Sequence, residues 1–204
     1  MLSIYQLKSR FQDLLRPSVR RLYQRGVTAN QVTLLAMVIS LLLGGFLCLP
    51  SLSANRFFLL PIWMFLRMAF NAIDGMLARE FKQQSRLGAY LNELSDVIAD
   101  AALFLPFALL VGIDPALVLG IIFLASLSEF AGVLGLMVGA SRRYDGPMGK
   151  SDRAFVFGLL ATLWPLNWLA SFWFNTILVI TLLLLLITII NRVRRGLAES
   201  IAHA

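Results

Sequence analysis

The sequence holds a single cysteine, Cys48, and a single histidine, His203. A lone cysteine forms no internal disulfide, and Cys48 lies within a long apolar stretch, so it reads as a small apolar residue. His203, at the extreme tail, reads as solvated, and neither residue has partners at metal-ligand spacing. Charge is scarce as well. Only 14% of the 204 residues are charged, 59% are hydrophobic and mean hydropathy is +0.79, which excludes a soluble domain of this length. The N-terminus begins with an amphipathic, charged segment instead of an apolar core, so no cleavable signal is expected. The net charge of +7 has no soluble basic domain to carry it onto nucleic acid, and no such partner is expected.

What the chain does have is long apolar runs. A membrane-spanning helix needs roughly 20 mainly apolar residues, and runs of that kind lie near 31–50, 57–79, 89–112, 115–140, 153–172 and 173–191. The fifth is interrupted by Pro165 and Asn167 and joined to the sixth by a very short link. Basic residues sit beside alternate runs: Lys8, Arg10, Arg16, Arg20, Arg21 and Arg25 before the first; Arg79, Lys82 and Arg86 between the second and third. Arg142, Arg143, Lys150 and Arg153 join the fourth to the fifth, Arg192, Arg194 and Arg195 follow the sixth, and the other side has only Arg56. By the positive-inside rule both termini face the cytoplasm, as an even number of spans requires. The expected fold is all-α: a polytopic membrane protein forming one domain over residues 1–204. Within it, 31–191 form a six-helix bundle and 1–25 an interfacial amphipathic helix.

In that first segment Ile4, Leu7, Phe11, Leu14 and Leu15 alternate at helical spacing with Lys8, Arg10 and Asp13, as in a helix lying in the membrane interface. Pro17 is expected to bend or restart it, and Thr28 or Asn30 to cap the first span. The one long polar connection, "RRYDGPMGKSDR" at 142–153, is a turn-rich loop from which Ser151 or Asp152 could cap the fifth span. Its four cations are either topology determinants or binding groups, since the loop shares a side with the acidic stretch described next.

That stretch is "NAIDGMLAREFKQQSRLGAYLNELSD", residues 71–96. Asn71 and Asp74 stand at i and i+3, with Arg67 four residues earlier on the same helical face. Asn92, Asp96 and Asp100, at i, i+4 and i+8, share a face of the next helix. Each ionisable group within a span costs on the order of 3 kcal/mol, so two such faces on consecutive helices imply a water-filled or ion-filled cavity. At 1.5 Å per residue Arg67 and Asp100 lie roughly 18 Å from the ends of their spans, and Glu129 lies at a similar level. Arg67 is therefore expected to pair with Asp100, Glu129 or both. Gly75, Ala78 and Gly88 fall beside the acidic positions, where small residues admit a ligand or permit close helix packing.

The stretch resembles the CDP-alcohol phosphotransferases, whose signature D-x2-D-G-x2-A-R-x8-G-x3-D-x3-D spans the second and third of six membrane helices. Asn71, Asp74, Gly75, Ala78, Arg79, Gly88, Asn92 and Asp96 match it at every spacing, and the six-span layout extends the resemblance over nearly the whole chain. The resemblance implies transfer of a substituted phosphoryl group from a CDP-linked lipid, CDP-diacylglycerol by preference, to an alcohol, with release of CMP. It implies Mg²⁺ or Mn²⁺ held by the motif positions 71, 74, 92 and 96. Asp74 would be a metal ligand and Asp96 a ligand or the general base. Gly75, Ala78 and Gly88 would admit the cytidine diphosphate, which Arg79 would orient. Arg142, Arg143, Lys150 and Arg153 would bind an anionic acceptor or a phosphate. A homodimer also follows from the resemblance, while the distribution of basic residues sets the site on the cytoplasmic side of what is expected to be a bacterial inner membrane.

The chain departs from the signature at two positions. A four-aspartate site balances two divalent ions, whereas Asn71 and Asn92 leave two carboxylates, the natural match to one ion, with amide oxygens completing the shell. Glu93, about 100° from Asn92, and Asp100, a turn deeper, are poor replacements. Besides catalysis, the sequence admits a catalytically silent protein that binds a CDP-lipid or a partner enzyme. It also admits a small transporter relaying ions through Arg67, Asp100 and Glu129.

Overall fold

The computed structural model describes residues 4–50 and 53–202, with side chains from Phe11 to Ile201. The expectations for the side chains of Ile4, Leu7, Lys8, Arg10 and His203 lie outside the described residues. Among the described residues there are seven α-helices and no strand: α1 (Ile4–Gln24), α2 (Ala29–Leu47), α3 (Leu59–Glu80), α4 (Arg86–Phe104), α5 (Pro115–Leu134), α6 (Lys150–Leu163) and α7 (Ser171–Ala202). Short 3-10 turns lead into α3 and follow α4 and α5.

Four of these segments, Ala29–Leu47, Ala54–Glu80, Pro115–Val138 and Ser171–Ile201, are long and apolar enough to cross a membrane, which makes the chain an integral membrane protein. The other two expected spans differ for physical reasons. Helix α4 carries Arg86, Glu93, Asp96 and Asp100, and α6 has only 14 residues, about 21 Å against the roughly 30 Å of a hydrocarbon core. The fifth run was expected to continue to residue 172, but its helix stops at Leu163. Beyond it the chain turns through Pro165, which lacks an N–H, and Asn167, whose φ is 52°. Helix α7 in turn outlasts its expected end at 191 by eleven residues.

Three local expectations are also corrected or decided. Helix α1 runs unbroken through Pro17; on either side of the proline, Leu15 and the fully buried Val19 pack on Ala29, Val32, Met76 and Leu77, contacts that offset the missing hydrogen bond. Thr28, not Asn30, caps α2, its hydroxyl accepting from the Gln31 N–H while the Gln31 side chain accepts from the Thr28 N–H. Neither Ser151 nor Asp152 caps α6: Gly149 does, and Asp152 reaches back from the first turn to accept its N–H at 2.9 Å. Helix α1 leans along α3, with Tyr23 4.4 Å from Phe81 and Phe11 6.3 Å from Phe65. Phe65 is about 22 Å down α3 from Glu80.

Helices α2 and α4 run parallel in close contact. At Gly44 a Cβ would lie 2.2 Å from the Ala102 carbonyl oxygen, so only glycine allows that approach. Helix α5 packs on α7, and α3 on α2 and α6. One end of the bundle is closed by aromatics: Phe104 stacks on Phe157 at 3.8 Å, and Phe107 meets Phe157 and Phe174 edge-on or tilted at 5.1 and 6.0 Å. The other end gathers the start of α2, the end of α3, the start of α4, the end of α5, the 139–149 loop, the start of α6 and the end of α7. Every motif residue lies there.

Candidate active site

Asp74, on the inner face of α3, is buried, and its Oδ2 accepts a hydrogen bond from the Thr33 hydroxyl of α2 at 2.7 Å. The Ala29 carbonyl lies 3.1 Å from the same hydroxyl, an alternative acceptor for its one hydrogen. Asn71, one turn earlier, is half-buried, and across the groove on α4 Asn92 is exposed and Asp96 half-buried. The two polar faces thus meet at the open end of the bundle, as their spacing predicts.

One turn deeper lies a set of buried ion pairs. Arg67 Nη1 donates to Asp100 at 2.5 Å and Nη2 to Asp96 at 3.3 Å, so the expected partner of Arg67 is Asp100. Glu129, at the same level, is bound by other cations: Arg153 at 3.0 Å, Arg142 at 3.0 Å and Arg192 at 3.2 Å. Arg153, 1% exposed, bridges Glu129 and Asp100, the latter at 2.8 Å. Arg192 also donates to the Ser128 carbonyl at 2.5 Å, which anchors the extra turns of α7.

The cations of the 142–153 stretch do not form one patch. Arg142 grips Glu93 through Nε and Nη2 at 2.5 and 2.6 Å and lies over the Tyr144 ring. Burial works against its positive charge, but those paired hydrogen bonds prevail and hold its pKa above that of a free arginine. Arg143 faces outward to Asp145 and Glu199. With Arg194, Arg195, Asn191, Ala198 and Glu199 it lines an open cavity of about 520 Å³. The Lys150 ammonium contacts Asp96 Oδ1 directly.

The small motif residues are in contact with protein groups. A Cβ at Gly75 would lie 2.8 Å from the guanidinium of Arg79, and one at Gly88 would lie 2.8 Å from the Asn30 side-chain oxygen. Ala78 packs beside the cluster of Val19, Met76 and Leu77. Sequence reasoning did not find Thr33 or Arg192, nor the Lys150–Asp96 and Arg142–Glu93 pairs. Thr33 is an ordinary mid-helix threonine by its neighbours, and Arg192 reads as one more flanking cation.

The donor chemistry can be weighed against a divalent ion. Two carboxylates and two amide oxygens are all hard donors, which fits one such ion. Among the described residues no group of three or more His, Cys, Asp or Glu is arranged to hold a metal, and Asp96 faces Lys150 and Arg67.

Comparison with known proteins identifies the family and the fold. The family model of the CDP-alcohol phosphatidyltransferases matches residues 26–187. Inner membrane protein YnbA of Escherichia coli (strain K12) is 49% identical over 202 residues, covering 98% of both chains. A phosphatidylinositol phosphate synthase of Streptomyces avermitilis is 34% identical over 99 residues, 48% of this chain and 39% of its own length. Among solved structures, the phosphatidylinositol phosphate synthase of Mycobacterium tuberculosis with CDP-DAG bound superposes with a TM-score of 0.69. It shares 21% identity over 88% of this chain and 92% of that one. The same enzyme in complex with manganese and citrate gives a TM-score of 0.70 at 20% identity, over 88% and 87% of the chains; at such identity the likeness is one of fold. With the motif spacing intact over 26 positions and the family match running from before α2 to the middle of α7, this chain belongs to the CDP-alcohol phosphatidyltransferase family.

Proposed function

We propose that the chain transfers the phosphatidyl group of CDP-diacylglycerol to an alcohol, releasing CMP, in phospholipid synthesis. The observation that carries this reading is the convergence of Asp74 and Asp96, from consecutive helices, at the open end of a bundle whose family performs such transfers. The CDP-DAG bound by the mycobacterial relative supports the donor. The six-span layout, with both termini and the site in the cytoplasm, rests on the alternation of basic residues. The inner membrane is supported by the name of the Escherichia coli relative.

In the proposed reaction the acceptor hydroxyl oxygen attacks the lipid-bearing phosphorus of the diphosphate. The bond from that phosphorus to the bridging oxygen breaks, and CMP leaves with the bridging oxygen. Asp96, half-exposed at the groove, takes the hydroxyl proton. One divalent ion, held by Asp74 with the Asn71 and Asn92 amide oxygens, would neutralise the diphosphate. The Thr33 hydroxyl holds Asp74 in place for that work. Arg79, lying over Gly75, is within reach of a diphosphate entering between α3 and α4. Arg143, with Arg194 and Arg195 around the open cavity, is the strongest candidate for an anionic acceptor group. Arg142 and Arg153 are engaged by carboxylates and act on the site through Glu93, Glu129 and Asp100.

A second reading is a silent CDP-lipid-binding protein, favoured by Asn71, Asn92 and the ammonium on Asp96. Incubating the purified chain with radiolabelled CDP-diacylglycerol and a panel of alcohols separates the two. Release of CMP with a new lipid product is expected. Lipid binding without CMP release under any alcohol or divalent ion would sink the transferase reading.

A further inference from the structure

Helices α4 and α6 run parallel, and three successive layers join them. Phe104 stacks on Phe157, Asp100 is paired with Arg153 one turn nearer the open end, and Asp96 meets Lys150 one turn nearer still. The first two layers are buried and fix the register, so Lys150 is delivered to the last carboxylate of the motif by the packing of the helices. It is the first residue of α6, and its side chain is partly exposed at the open end.

The charges around it are balanced. Glu93, Asp96, Asp100 and Glu129 meet Arg67, Arg142, Lys150, Arg153 and Arg192 in one connected set of ion pairs. With Asp74 included, five carboxylates face five cations. A signature with four aspartates would add two negative charges, and those are the charges that a second divalent ion would neutralise. Here Asn71 and Asn92 have removed them, and an ammonium lies on a third motif position.

Resting on the reading of the site given above, we propose that the Lys150 ammonium stands in for one of the two divalent ions that a four-aspartate signature balances, as a covalently attached cation on Asp96. The site then takes at most one divalent ion, on the Asp74 side, and Lys150 supplies fixed positive charge to the diphosphate where a second ion would have done so. The loss of two carboxylates and the lysine belong to one electrostatic design: with the aspartates restored and Lys150 removed, a second ion has both its ligands and its charge balance.

The test is Mn²⁺ binding to the full-length chain in nanodiscs, followed by the electron paramagnetic resonance of free Mn²⁺ with CDP present. The wild type should bind no more than one Mn²⁺ per chain. Lys150→Met should bind Mn²⁺ at least tenfold more tightly, because Asp96 loses its competing cation, and Lys150→Arg should behave as the wild type. The triple variant Asn71→Asp, Asn92→Asp, Lys150→Met should bind two. Each variant is checked for an unchanged thermal transition before titration. Two ions on the wild type, or unchanged affinity in a folded Lys150→Met, would overturn the proposal. The readout does not depend on turnover: the expected Mn²⁺ pattern without CMP release from CDP-diacylglycerol would support the role of Lys150 and sink the transferase reading.

Discussion

The helix pair α4/α6 contains two adjacent layers of opposite character. Phe104 and Phe157 make an apolar layer with ring centroids 3.8 Å apart, and one turn away Asp100 and Arg153 make an ionic one, 7% and 1% exposed in their side chains. The aromatic layer needs only its shape to hold, since lipid tails and phenyl rings are similarly apolar and packing decides the fit. The ionic layer is held by mutual dependence: each buried charge is tolerable only while its partner stays. The two layers therefore answer substitution differently. The first tolerates a swap that keeps its volume, whereas the second passes any change to Arg67, Glu129 and the motif aspartates beyond it.

The most damaging way to break that contrast is at the open end, where the proposed reaction uses charge. Asp74→Ala and Asp96→Ala should each lower CMP release by about 10²-fold or more, measured with CDP-diacylglycerol and the accepted alcohol, while the helical fold by circular dichroism is retained. A decrease confined to one of them would mean that the two carboxylates do not share one site.

Next in size is the ionic layer itself. Arg153→Met deprives both Asp100 and Glu129 of a partner and should cost about 3 kcal/mol in thermal or denaturant unfolding in detergent. Adding Asp100→Asn to it should cost less than the sum of the two single changes, because the stranded charge is then gone. Strict additivity would show that the pair is not coupled in the way the contacts indicate.

A smaller effect is expected from the motif amides. Asn71→Asp together with Asn92→Asp restores two negative charges and should tighten Mn²⁺ binding by about tenfold, roughly 1.4 kcal/mol. If the double variant binds no better, the amides are not ligands, and the ion is held elsewhere on this end of the bundle.

The smallest effect should come from the aromatic layer. Phe157→Leu keeps most of the volume and should cost under about 1.5 kcal/mol with CMP release unchanged. A loss of activity comparable to that of Arg153→Met would show that register, more than charge, governs the site.

Much of this was legible in the sequence because membranes make polarity expensive. Six helices after the amphipathic one, Asn71 and Asp74 on one face, Asn92 and Asp96 on another, and the Arg67–Asp100 pair all followed from helical spacing and a depth count. Three features were not. The fifth run was known to be interrupted at Pro165 but not where its helix would stop, while α1 absorbed Pro17 and α7 ran past its apolar segment, the last two decided by what the neighbouring helices offered the flanking side chains.

The sequence by itself determined that this chain belongs in a bilayer and that the motif residues gather at one end of its helices, since hydropathy and a signature with fixed gaps are local properties. Only the tertiary structure decided the partners. Glu93 went to Arg142, Glu129 to three arginines from a loop and two helices, Asp74 to Thr33, and Asp96 to a lysine 54 residues away. Spacing along a helix sets which residues share its face, but which cation a buried carboxylate meets depends on the register of one helix against another. Here that register is fixed by the Asp100–Arg153 and Phe104–Phe157 layers between α4 and α6.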